Sequence, residues 1–117
     1  MADSAYENIR ASRVQGTTVY GPAGKRLGVI DDLVIGKRDG EVKYAIMSFG
    51  GFLGLGEEYY PVPWSMLHYD ADKGGYVTDL TRDRLTGSPH FAAGQEPDWT
   101  DPAFGRRVDY HYGSPPF

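Results

Sequence analysis

The residues of this chain that could do chemistry are few and scattered. Asp70-Ala71-Asp72-Lys73-Gly74-Gly75 opens like a calcium-binding loop, with alternating carboxylates ahead of a glycine. Such a loop closes on a bidentate Glu at its twelfth position, and Thr81 stands there, so the segment reads as a polar hairpin turn. Gly24-Lys25 is followed by Arg26 and lacks the upstream glycine of a phosphate-binding loop. Ser48 has Ile46 two residues before it and is not a glycine-flanked nucleophile. The three histidines, His68, His90 and His111, fall on separate elements without the close spacing that puts two of them on one metal. Asp31-Asp32 and Glu57-Glu58 are adjacent pairs. Neighbours on a strand point to opposite faces, so neither pair is a converging acid–base couple. With no cysteine in the chain, disulfides, thiolate catalysis and cysteine-rich metal sites are excluded. Neither a catalytic residue, a metal nor a cofactor is expected.

Asp32 stands apart, lying between Ile30 and Val34 on a strand face expected to be buried. A buried carboxylate must be hydrogen-bonded or paired, so the expected role is structural: accepting backbone N–H groups at a barrel corner. A catalytic acid is the alternative. Nine tyrosines suggest stacking surfaces, yet the densest aromatic run, from Tyr59 to Tyr69, contains no Lys or Arg. Only Arg106-Arg107 has aromatics close by, in Phe104 and Tyr110, which reads as ordinary helix packing. A net charge of -4 and a pI near 5.2 argue against direct contact with nucleic acid, which calls for a basic stripe. No stretch approaches the roughly 18 apolar residues of a membrane span. The start, Met1-Ala2-Asp3-Ser4-Ala5-Tyr6-Glu7, is polar and lacks the apolar centre of a signal peptide. The expectation is a cytoplasmic protein.

These residues are carried by short strands. Thr17 to Tyr20, Leu27 to Ile35, Glu41 to Phe49, Tyr59 to Val62, His68 to Asp70 and Gly75 to Leu80 are rich in β-branched, aromatic and aliphatic residues. Gly21-Pro22-Ala23-Gly24, Lys37-Arg38-Asp39-Gly40 and Ala71-Asp72-Lys73-Gly74 are turns by composition. Trp64 to Leu67 is too short for an α-helix and reads as a 3₁₀ turn. Five or six short strands with glycine turns and little helix indicate a small barrel or sandwich. After Leu80, Thr81 is a candidate N-cap for one helical turn through Leu85, stopped by Gly87 and Pro89. Asp101-Pro102 looks like a second helix start, running to about Tyr112 with Gly113 as its stop. Phe104, Val108 and His111 or Tyr112 form a stripe on that helix, which reads as a lid on the barrel, with a docking helix as the other reading. The resulting division is a flexible tail over residues 1–11, a domain over 12–91, and a linker with a C-terminal helix over 92–117. Because the strand signals end at Leu80, the middle segment is expected to carry the fold.

The segment between the third and fourth strands differs from an ordinary loop. In Gly50-Gly51-Phe52-Leu53-Gly54-Leu55-Gly56, four glycines space three large apolar residues. Gly50, Gly51, Gly54 and Gly56 supply backbone freedom. Phe52, Leu53 and Leu55 sit where a loop would carry polar residues and need something to bury them. Either they fold back onto their own barrel or they dock on a second copy, in which Tyr59 and Trp64 join the contact; the second is the expectation, and it makes the protein a homodimer.

The order Gly28-Val29-Ile30-Asp31-Asp32-Leu33-Val34, then Val42-Lys43-Tyr44-Ala45-Ile46, then the glycine-spaced loop, then Pro61-Val62-Pro63-Trp64 with Leu67 resembles a PRC-barrel domain. The resemblance covers roughly residues 12–91 and is most specific in the loop and the Pro-Val-Pro-Trp that follows. It implies a mainly β fold: a small PRC-type barrel of five to six short strands, here with a C-terminal helical extension. It also implies a bacterial, non-enzymatic protein-interaction or adaptor module without an active site to carry over. Its partner is an unidentified protein. Two rival functions stay open. One is a small-ligand or metal-dependent enzyme at the barrel mouth using Asp32 or His68. The other is binding of a protein in ribosome assembly.

Overall fold

A computed structural model describes residues 7–49 and 58–113. A single helical turn, α1 (Ala11–Val14), leads into β1 (Thr18–Tyr20), β2 (Arg26–Ile35), β3 (Val42–Ser48) and β4 (Glu58–Pro63). A 3₁₀ turn (Trp64–Met66) connects β4 to β5 (His68–Asp70), which pairs with β6 (Gly75–Val77). Then come α2 (Arg82–Thr86), β7 (Phe91–Ala92) and α3 (Pro102–Tyr112). The seven strands form one sheet in the order β5-β6-β1-β2-β3-β4-β7. All neighbours are antiparallel except β1 and β6, where Val19 lies opposite Tyr76. Strands β4 and β5 stand far apart in that order yet are joined by three residues of 3₁₀ turn, so the sheet must curl to bring its ends together. The result is the mainly β, small-barrel architecture expected, with one strand more than the upper estimate.

The strands form where β-branched and aromatic residues concentrate, and turn chemistry sets their limits. Between β2 and β3, Asp39 accepts the Glu41 N–H at 2.9 Å and pairs with Lys43 Nζ at 2.7 Å, closing the hairpin. Val19, Ile30, Ala45, Met47 and Val62 are fully buried at the centre. Strand β3 is buried continuously from Tyr44 to Ser48, so both of its faces are covered. Ala45 and Met47 share one face with their cross-strand partners Val62 and Tyr60. Tyr44 takes the other face, where its ring lies 6.0 Å from that of Trp99. Trp99 in turn meets Phe104 and Phe91, and Phe91 meets Tyr59. This aromatic layer is supplied largely by the chain after Leu80.

Both helical ends were legible. Thr81 Oγ1 accepts the Arg84 N–H at the start of α2. The Asp101 carboxylate accepts the Ala103 N–H at 2.9 Å with Pro102 in the first turn, and α3 stops at Gly113, whose φ of 68° favours glycine. Val108 and Tyr112 are buried and join the same core as Leu85 and Val62, so α3 covers the sheet as a lid.

Three features depart from expectation. Asp32 is exposed, not buried. Across the β2–β3 ladder Ile30 faces Met47 and Asp32 faces Ile46, which leaves Asp31 as an extra residue. That bulge interrupts the alternation, so Ile30 points into the core while Asp31 and Asp32 both reach solvent. At the junction of the 1–11 tail with the 12–91 domain, where no helix was expected, stands α1, which buries Val14 and is followed by the Gly16 N–H donating to the Ile30 carbonyl at 2.7 Å. Strand β7 crosses the boundary drawn between residues 91 and 92: its Phe91 and Ala92 pair with Tyr59 and Glu58 on the edge of β4.

Candidate interaction surfaces

The most unusual polar contact lies under α3. Tyr44, from the middle of β3, donates its hydroxyl to Asp109 Oδ1 at 2.9 Å, and the Gly105 carbonyl stands 3.3 Å from the Tyr44 hydroxyl oxygen. Both side chains belong to buried residues, Tyr44 at 6% exposure and Asp109 at 5%. Burial pushes the Asp109 carboxyl above its ordinary range, and the Tyr44 hydroxyl offsets part of that. Burial, then the adjoining carboxylate, raises the Tyr44 phenol well above its ordinary range. Gly105 makes room for the pair: a Cβ there would lie 3.1 Å from the Tyr44 hydroxyl oxygen. The pair sits inside the fold and pins the helix to the sheet.

A groove of about 830 Å³ runs between residues 87–90 and the outer side of α3. Arg106, Arg107, His90, His111 and Tyr110 line it, together with residues 87–89. Tyr110 is 90% exposed. Arg107 lies over the Phe104 ring, its guanidinium carbon 5.5 Å from the centroid. His90 donates Nδ1–H to the Ser88 carbonyl at 2.7 Å, and its ring stacks on Tyr60. His111 donates Nε2–H to the Arg84 carbonyl at 2.9 Å. These two bonds fix both tautomers and leave one ring nitrogen of each histidine for an outside partner. Among the described residues, the salt bridges found involve Lys43 alone, so neither arginine is paired with a carboxylate.

Of the residues singled out from the sequence, those described lie elsewhere and apart. Phe52, Leu53, Leu55, Gly50, Gly51, Gly54 and Gly56 lie outside the described residues. Tyr59 and Trp64 are each half-buried in intramolecular ring contacts, with Phe91 at 5.6 Å and Tyr76 at 5.2 Å. Asp32 Oδ1 accepts the Leu33 N–H at 2.8 Å and the Gln15 amide at 3.1 Å. It borders a small depression of about 200 Å³ with Asp31, Tyr59 and Glu96. His68 borders a different groove, with Thr78, Arg84 and Tyr112. The two residues that an enzyme would recruit therefore do not share a site. Asp70 Oδ1 accepts the N–H groups of Asp72 and Lys73, which makes the calcium-like segment a capped turn. Among the described residues no group of three or more His, Asp or Glu is placed to hold a metal, and no helix is long and apolar enough to cross a membrane.

The Tyr44–Asp109 contact and the basic groove were both missed in the sequence. The contact joins positions 65 apart, with no local signal. The groove left one trace, Arg106-Arg107 beside Phe104 and Tyr110, but His90 and residues 87–89 come from a separate place in the chain.

Comparison with known proteins extends this geometry. An uncharacterized protein of Deinococcus radiodurans is 26% identical over 80 residues, which is 68% of this chain and 28% of that protein. The chain thus matches little more than a quarter of the relative's length. The family model described as PRC-barrel domain matches residues 7–85, from just before α1 into α2, and leaves β7, α3 and the basic groove outside the match. With more than half its length matched by that model, and with its curled seven-stranded sheet, the chain belongs to the PRC-barrel domain family.

Proposed function

We propose that this protein is a non-enzymatic interaction module, an adaptor that pairs with a second copy of itself through the glycine-spaced loop of residues 50–56 and presents its remaining surface to a protein partner. The observation that carries the reading is the dispersal of its reactive side chains. Asp32 borders one depression, His68 a second, and His90 and His111 a third, where each already gives one N–H to a backbone carbonyl. Catalysis needs a nucleophile, base or metal set converging on one point, and these groups diverge. Membership of a barrel family reads the same way, because a small closed sheet gives a rigid platform whose loops and added elements meet partners.

The loop supports self-association through its composition. Phe52, Leu53 and Leu55 together expose a few hundred Å² of apolar surface if left in water, worth several kcal/mol at about 25 cal/mol per Å² before association costs. Affinity capture tests the adaptor reading. Full-length protein and its Leu53→Ser/Leu55→Ser variant are immobilised and exposed to lysate of the native cell. Proteins retained by the first and lost by the second are expected, and identical retention on both overturns the reading.

A further inference from the structure

We propose that the groove between residues 87–90 and α3 docks an acidic segment of a partner protein, with Arg106 and Arg107 receiving its carboxylates and Tyr110 taking an adjacent apolar side chain. The inference rests on the interaction-module reading and names the chemistry of the partner. Arg106 and Arg107 meet in this groove, with His90 and His111 beside them and no carboxylate in its lining, although the chain as a whole carries 16 Asp and Glu against 12 Lys and Arg. Concentrating positive charge at one place on a net negative protein sets a local field that selects a local negative partner. Neither arginine forms a salt bridge among the described residues, so both forks are available. Guanidinium groups receive carboxylates through paired N–H donors, with directional preference as well as charge.

At about 830 Å³ the groove has room for a short segment of chain, and α3 supplies Arg106, Arg107, Tyr110 and His111 to its lining. Tyr110 stands at its edge with 90% of its surface in water, on a helix whose Val108 and Tyr112 are buried. A tyrosine beside arginines is the composition found at the centre of protein contacts. The overall negative charge disfavours a long polyanion such as nucleic acid, whose phosphates would meet repulsion beyond the groove. All five side chains lie beyond residue 85, where the family match ends, so this surface belongs to the extension that the chain adds to the barrel.

Fluorescence anisotropy with the full-length protein tests the proposal. The probe is a short labelled peptide rich in Asp and Glu with one leucine, compared with a Lys-rich peptide of equal length. Saturable binding of the acidic peptide alone is expected, weakening as sodium chloride is raised. Arg106→Glu/Arg107→Glu should weaken it by about tenfold or more, the loss expected when charge-assisted pairs become repulsive. Both positions are exposed, so the thermal melt should be unchanged; if charge reversal disturbs folding, Arg106→Gln/Arg107→Gln gives the same reading. Tyr110→Ala should weaken binding while leaving its salt dependence intact. The proposal is overturned if the wild-type protein does not bind the acidic peptide, or if the arginine variants bind it undiminished. It is also overturned if single-stranded oligothymidylate or inorganic phosphate displaces the labelled peptide more effectively than unlabelled peptide does. Failure here alongside loop-dependent capture from lysate removes the groove assignment and leaves the interaction module standing.

Discussion

Replacing Tyr44 with Phe removes one oxygen and leaves the ring packed against Trp99, so its effect reads the hydroxyl's contacts, chief among them the one with Asp109. In the native protein the hydroxyl donates to a carboxylate at 2.9 Å, and both residues are buried. A hydrogen bond to a charged, buried acceptor contributes roughly 1.5–3 kcal/mol, because its loss strands the acceptor away from water. In a domain of this size that corresponds to a fall in Tm of roughly 5–15 °C. The penalty should depend on pH. Burial raises the folded-state pKa of Asp109 above the ordinary 3.8, so the folded protein holds this proton more tightly than the unfolded chain. Its contribution to stability is therefore fully present below the ordinary carboxylate pKa and is lost as pH rises through the raised folded value. Losing the Tyr44 donor raises that value further, so Tyr44→Phe should be nearly harmless in acid, where Asp109 is protonated, and most damaging near neutrality. Asp109→Asn should flatten the pH dependence relative to wild type, since the side-chain carbonyl still accepts the Tyr44 hydroxyl. Urea unfolding followed by tryptophan fluorescence at several pH values measures all three proteins. Equal stability of Tyr44→Phe and wild type at neutral pH would refute the reasoning, as would a deficit that does not shrink on acidification.

Three further outcomes follow from the packing. Gly105→Ala should fail to deliver the roughly 1 kcal/mol that Ala normally gains over Gly in a helix, because its methyl group meets the Tyr44 hydroxyl oxygen at 3.1 Å; in the Tyr44→Phe background the gain should return, and a double-mutant cycle by urea unfolding that shows no coupling contradicts this. Truncation after residue 91 removes the buried Val108 and Tyr112, worth roughly 1.5–3 kcal/mol each, so residues 12–91 alone should melt far below the full chain, and equal melting temperatures would show α3 to be dispensable. Asp32→Ala should lower stability by less than about 1 kcal/mol in chemical denaturation, since the carboxylate is exposed and, among the described residues, accepts from Leu33 and Gln15; a larger loss would place it back in the core.

What the sequence revealed and what it concealed divide along physical lines. Turns, caps and strands are local, and they were legible. Thr81, Asp101, Pro102 and Gly113 mark the helix ends by their side-chain chemistry, and the β5–β6 turn is flagged by Asp-Lys-Gly-Gly. The bulge at Asp31 was not legible, because apolar residues on both sides continue the alternation through it, and the extra residue shows only in the pairing. Strand β7 has two residues, too few to carry a period, and α1 has four, too few to show an apolar face. The Tyr44–Asp109 contact and the basic groove are products of tertiary folding, in which residues distant in the chain meet only once the barrel and α3 are in place.

The central claim is that this barrel works by pairing with other chains, first with a copy of itself. Light scattering of the purified full-length protein across a range of concentrations tests it most directly. The account predicts twice the 12.9 kDa chain mass for the wild type and a folded monomer for Leu53→Ser/Leu55→Ser. A wild-type protein that stays monomeric at the highest concentration, with a double variant that only loses thermal stability, would contradict it and place the loop in its own core.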